Sequence, residues 1–129
     1  MHISFYVDQI LADLEALSQP KPKKPTPMIH REQDIINWGI ARNIIGPESQ
    51  SARDKQQIKT VEEVLELAHA IATDDFKEAR DAIGDIIVTL VLQAQMWGLS
   101  LTECIEYAWN EIKDRKGKMV DGIFVKEVK

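Results

Sequence analysis

An all-α fold with a four-helix core follows from three features of the sequence. Four long segments carry apolar residues at three- and four-residue spacing. Sequence boxes of the kind that start helices precede the last two of them, at Asp75 to Glu78 and at Ser100 to Glu103. A strand signal is confined to the C-terminal tail. The length of 129 residues suits one domain with a real core. Its composition, 44% hydrophobic and 29% charged with a net charge of -5, is that of an ordinary soluble chain. The acidic balance argues against binding a nucleic-acid polymer, which calls for a basic footprint.

Taken in order, residues 1–18 form a helical arm. Apolar residues at 7, 10, 11, 14 and 17 define one face, with Ser4 as its expected N-cap. Residues 19–27 hold four prolines and three lysines, which predicts a semi-rigid linker. Residues 28–129 are the helical domain proper. A helix is expected from Met28 to Ile45, with Ile35, Trp38 and Arg42 on one side, stopped by Gly46-Pro47. A second core helix, capped around Ser51 and Asp54, runs to Ala72. Its core stripe is expected at Ile58, Val61, Leu65, Ala68 and Ala72, with Glu62, Glu66 and His69 lying off it. The third core helix starts at the Asp75 box, with Glu78 reaching back to close it. After Asp85 it is apolar nearly all round and is expected to be the most buried helix. The stretch Ile83 to Leu99 carries Asp85 and two glutamines and fits a core helix better than a membrane span. The fourth starts at Ser100 and runs to Lys116. The tail then carries an Asp121-Gly122 turn and a short strand at Ile123 to Val125, a hairpin-like ending.

The chemistry concentrates between Val61 and Asp85. Glu63 and Glu66 are three apart and share a helical face, as do Asp81 and Asp85, four apart. Two helices joined by a short connection pack antiparallel, which brings the acidic faces together. Clustered carboxylates repel unless neutralised, and a hard divalent cation such as Mg²⁺ neutralises them while also holding a phosphate. Asp85 precedes a helix with no polar face, so burial of this acid is expected, and a buried carboxylate must be paired, protonated or metal-bound. Downstream, Asn110, Lys113 and Arg115 supply either cationic capping of a helix end or counter-charges for phosphate. Trp38 is either core or a platform for a base. Glu66 and His69 have the E-x-x-H spacing of di-iron bundles, but the required second copy of that motif is absent, and His69 is expected to be a partly buried neutral imidazole. The single Cys104 has no partner for an internal disulfide, and the N-terminus lacks a signal-peptide pattern, so a cytoplasmic setting is expected.

These residues resemble a family. Lys59-x-x-Glu62-Glu63-x-x-Glu66-Leu67, followed by Asp81-Ala82-Ile83-Gly84-Asp85 and an apolar helix, is similar to the MazG-like nucleoside triphosphate pyrophosphohydrolases of the all-α NTP pyrophosphatase superfamily. The resemblance spans about residues 35 to 118. It implies Mg²⁺, with Mn²⁺ able to substitute, and hydrolysis of an NTP or dNTP to the monophosphate and pyrophosphate. It further implies Glu63, Glu66 and Asp85 as metal ligands and Asn110 and Lys113, with a basic residue after them, as phosphate contacts; Lys59, Arg115 and the aromatic Trp38 complete the candidate substrate contacts. Glu63, with Glu62 as substitute, takes the water-orienting role. A homo-oligomer, dimer or tetramer, is implied as well. Ala82 stands where the pattern has Glu, so Asp81 becomes the nearer candidate for the missing ligand, with Glu78 placed to serve a second ion, and Ala82 is expected to leave room in the acidic cleft. Two alternatives stay open: a nucleotide-binding regulatory relative without turnover, and a helical interaction module.

Overall fold

The computed structural model describes residues 3–18 and 24–128. Among them run five α-helices: α1 (Ile3–Ser18), α2 (Met28–Ala41), α3 (Arg53–Ala72), α4 (Phe76–Met96) and α5 (Leu101–Ile112). A hairpin of β1 (Gly117–Val120) and β2 (Ile123–Lys126) follows. The all-α class with a small hairpin tail is the observed fold. In α1 the helix already begins at Ile3, so Ser4 lies inside the first turn and is not the cap. Residues 19–23 of the proline–lysine linker lie outside the described residues. No single helix among those described is long and apolar enough to cross a membrane.

The hub is α4. It packs along α3 most extensively, along α2, and against α5. Its second half buries Thr89, Val91, Leu92 and Ala94, and Ala82 in its first half, Ile45, Ala70 and Leu101 are buried as well. The α3–α4 turn is tight because Asp74 adopts a left-handed backbone (φ 52°) and Asp75 Oδ1 accepts the Glu78 N–H at 3.0 Å. Helix α2 ends at Ala41, earlier than the predicted Ile45, because Asn43 turns left-handed (φ 60°) before Gly46-Pro47 is reached. Ile45 then folds back onto Gly39. A Cβ at Gly39 would collide with Leu92 and Ile45, so this glycine sets the close approach of α2 to α4.

Two devices start α5. Ser100 Oγ accepts the Glu103 N–H at 3.0 Å. The second is Glu32 of α2, only 5% exposed. Its Oε1 accepts the Leu101 N–H at 2.6 Å and the Thr102 N–H at 3.3 Å, while Oε2 accepts the Thr102 hydroxyl. A buried carboxylate thus satisfies amides that the helix itself leaves unpaired. The helix proper ends at Ile112, four residues before the predicted Lys116. Asp121 and Gly122, both at positive φ, make the hairpin turn, and a Cβ at Gly117 would run into the Val125 carbonyl.

The predicted core stripe of α3 does not face α4. Ile58, Val61 and Leu65 are 50–64% exposed, and Ala68 and Ala72 are exposed too. Against α4 lies the opposite side of α3: Gln56 and Ala70 are buried, and Thr60, Glu63 and Leu67 half-buried. The reason is steric and polar. Ala70 and Ala82, each 1% exposed, let two helix backbones approach closely. Thr60 Oγ1 donates to Thr89 Oγ1 at 2.9 Å, and Thr89 passes its own proton to the Ile86 carbonyl at 2.7 Å. The cap expected from Ser51 is also absent: Ala52 holds that position with no side-chain hydrogen bond.

Candidate functional site

The α3–α4 hairpin brings three of the predicted acids to one point. One carboxylate oxygen from each of Glu63, Glu66 and Asp85 lies within 4.8 Å of the others. Glu63 and Glu66 come from successive turns of α3, and Asp85 faces them from α4. The Thr60–Thr89 bridge sits one turn away on both helices and holds their spacing.

Glu63 is the unusual member. Its Oε2 is inaccessible to solvent and has no hydrogen-bond partner. Burial raises the proton affinity of this carboxyl above the ordinary glutamate value, and a hydrogen-bonding approach to the Glu66 carboxyl, then the Glu66 and Asp85 charges, raise it further. Lys59 pulls weakly the other way. An orphaned carboxylate oxygen beside two more carboxylates is costly as it stands. The same donor set fits a hard divalent cation, which takes oxygen ligands and keeps further positions for water or phosphate. Glu66 and Asp85 remain exposed. The burial expected for Asp85 is therefore not found: the first half of α4 lies at the rim, where Phe76 and Ile83 are also exposed.

Asp85 lines two concavities, as does Val88. One is a cavity of about 430 Å³ whose lining includes Trp38, Ile44, Lys59, Glu63, Asp85 and Leu92. Arg42 lies over the Trp38 ring, 4.5 Å from its centroid, and donates to the Trp38 carbonyl at 3.1 Å. The second is a groove of about 700 Å³ between α2 and α4, bounded by Arg31, Ile35, Arg80, Asp81, Gly84 and Asp85.

The remaining predicted residues fall elsewhere. Glu62 is engaged with Lys59 at 2.8 Å, and this hydrogen-bonded carboxylate holds the Lys59 ammonium above its usual value. Asp81 is not in the converging set; it faces Arg80 at 3.8 Å and is largely exposed. Ala82 is buried, so it leaves no open room beside the acids. His69 is exposed rather than partly buried, with Nδ1 3.2 Å from both Glu78 oxygens. Glu78 therefore faces His69, across the α3–α4 turn. Asn110 lines a shallow pocket on α5 with Glu106 and Tyr107. Arg115 lines a separate concavity of about 870 Å³ at the hairpin, among both acidic and basic side chains. Lys113 caps the C-terminus of α5. Among the described residues, the cavities that Asn110 and Arg115 line are not lined by any acid of the cluster. Arg31 and Arg80 were not singled out by sequence reasoning. The signal for Arg31 was present: it precedes Ile35 by four residues and Trp38 by seven, on the same helical face.

Comparison with known proteins adds one finding. The family model described as the MazG nucleotide pyrophosphohydrolase domain matches residues 54–120, just over half of the chain. Neither the curated proteins nor the solved structures yield a match. The matched segment contains all three converging carboxylates and all of the α3–α4 hairpin that builds the cluster except Arg53. The chain belongs to the MazG nucleotide pyrophosphohydrolase domain family.

Proposed function

We propose that this chain hydrolyses a nucleoside or deoxynucleoside triphosphate between the α and β phosphates, releasing the monophosphate and pyrophosphate, with Mg²⁺ held by Glu63, Glu66 and Asp85. The observation that carries this reading is the orphaned Glu63 Oε2 inside a three-carboxylate cluster that borders two concavities. Mn²⁺, which also accepts carboxylate oxygens, is expected to substitute. When bound, the cation offsets phosphate charge and makes a coordinated water more acidic.

The chain's own residues do the rest. Trp38 offers the cavity an aromatic wall for the base. Lys59 brings a positive charge to the same cavity, restrained by Glu62. Water attacks one phosphorus of the α–β bridge, the bond from that phosphorus to the bridging oxygen breaks, and the monophosphate and pyrophosphate separate. Glu63, which lines the same cavity as Trp38 and Lys59, is the residue placed to orient that water and take its proton, and Glu62 is the substitute base. Asp81 borders the groove beside Asp85 and is the candidate for a fourth, outer contact.

The chain acts as a homo-oligomer in this reading. The outward stripe of α3 at Ile58, Val61 and Leu65 and the outward Ile105, Trp109 and Ile112 of α5 are faces that a second copy would cover. Contacts of Asn110, Lys113 and Arg115 with substrate then come from the neighbouring copy. The test is a pyrophosphate-release screen across the common NTPs and dNTPs with Mg²⁺. Metal-dependent release supports the hydrolase. Binding without release identifies a regulatory relative, and no binding leaves an interaction module.

A further inference from the structure

We infer that the groove between α2 and α4 is the seat of the terminal phosphates, with Arg31 and Arg80 of the same chain as their counter-charges; this rests on the hydrolase reading above. Asp85 lines both concavities, so a cation at Asp85 touches both the Trp38 cavity and the Arg31–Arg80 groove. The scissile bridge of a triphosphate lies between its nucleoside and its terminal phosphates. A substrate with that bridge at the cation and its base toward Trp38 has its β and γ phosphates in the groove.

The groove has the chemistry for that role. Arg31 projects from α2 and Arg80 from α4, giving it two guanidiniums. Arg31 and Trp38 lie on one face of α2, about 10 Å apart at about 1.5 Å per residue, so one helix serves both ends of the substrate. Gly84 forms part of the groove wall, and a Cβ built there meets nothing, so no packing demand explains the glycine. Its lack of a side chain leaves the groove open directly beside Asp85. The acids facing the groove are Asp81 and Asp85, and the second of these is committed to the cation.

Neither arginine is locked in place. Arg31 donates to Asp34 at 2.7 Å and to Thr26 at 2.6 Å, an arrangement in which more than half of each charged side chain is exposed. Exposed pairs of this kind are worth about 0–1 kcal/mol, so phosphate can displace Asp34. Arg80 reaches Asp81 only at 3.8 Å. By contrast, among the described residues, the concavity that Arg115 lines beyond α5 is not lined by Asp85.

The experiment compares wild type with Arg31→Gln/Arg80→Gln and with Lys113→Gln, measuring inhibition by inorganic pyrophosphate and by the nucleoside monophosphate, with melting temperature as a folding control. Loss of two charge-assisted contacts predicts pyrophosphate inhibition weakened by at least about tenfold in the double variant. Inhibition by the monophosphate and the Mg²⁺ dependence should stay as in wild type. Unchanged pyrophosphate inhibition overturns the inference, as does equal weakening toward both products. So does a loss of pyrophosphate inhibition seen in Lys113→Gln alone. A second variant, Gly84→Leu, fills the groove and should reproduce the arginine effect. Absence of turnover in wild type would sink the hydrolase reading instead. Calorimetric binding of Mg²⁺-pyrophosphate then tests the groove alone, and wild-type affinity in the arginine double variant overturns it.

Discussion

Replacing Glu63 with glutamine keeps the side chain's shape and removes one charge from the cluster. The three carboxylate oxygens lie within 4.8 Å of one another. Two unit charges at about that separation repel by about 1 kcal/mol in bulk water and by about 3 kcal/mol at an effective dielectric of about 20. Glu66 and Asp85 are exposed, so the solvent-screened figure governs each pair. Two such repulsions are relieved in Glu63→Gln, while the buried Oε position still lacks a donor. The net expectation for the metal-free protein is a gain of about 1 kcal/mol, or about 3–5 °C in melting temperature for a chain of this size. Magnesium should reverse the order. A ligand at one hundred times its Kd stabilises by about 2.7 kcal/mol, which wild type collects in full and the variant, with one ligand fewer, does not. The assay is a pair of calorimetric melts for each protein, in chelator and in millimolar Mg²⁺. A variant less stable than wild type in chelator, or an equal Mg²⁺ shift in both, would refute the reasoning.

Three further outcomes are expected. Glu66→Gln and Asp85→Asn should each abolish pyrophosphate release without lowering the melting temperature, since both side chains are exposed; full activity in either removes it from the metal site. Ala82→Glu should not restore a missing ligand but destabilise the fold by about 2–4 kcal/mol, because the position is 1% exposed and a carboxylate there has no solvent; a denaturant titration reads this, and unchanged stability would contradict the packing. Val61→Lys with Leu65→Lys should leave helix content intact and yield a monomer by light scattering, and an unchanged oligomer would exclude the outward stripe of α3 from the interface.

Much of this architecture is legible in the sequence because it is local. Asp75 and Ser100 cap their helices as expected, although Glu78 turns to His69 instead of closing the box and the Asp75 N–H donates to the Ala70 carbonyl; Asp121-Gly122 makes the hairpin turn, and α4 is the central helix that its apolar run requires. The converging Glu63, Glu66 and Asp85 are legible for the same reason, being fixed by helical spacing and one short turn. What was not legible depends on which surface meets which. The apolar stripe of α3 reports that Ile58, Val61 and Leu65 want cover, but not that the covering surface lies outside this hairpin. Its other face wins the contact with α4 through small residues and a threonine pair, which carry little hydropathy signal. The exposure of Asp85 and His69 follows from the rim position of the α3–α4 turn, a tertiary fact. Glu32 looked like any surface acid on a helix, since its partners lie about seventy residues away.

That buried glutamate has a mechanical consequence. Because Glu32 holds the first amides of α5, the helix is pinned to α2 at Leu101 and Thr102 while its far end carries exposed residues on every side. It behaves as a lever with a fixed fulcrum. From Leu101 to Lys113 the arm is about 18 Å long at about 1.5 Å per residue. A swing of about 10° about the pinned end therefore carries Lys113 through about 3 Å, roughly the length of a hydrogen bond. A change such as Glu32→Gln that let α5 turn about that end would be amplified at the basic tip, which ties the reach of Lys113 to a residue on another helix at the opposite end of its own.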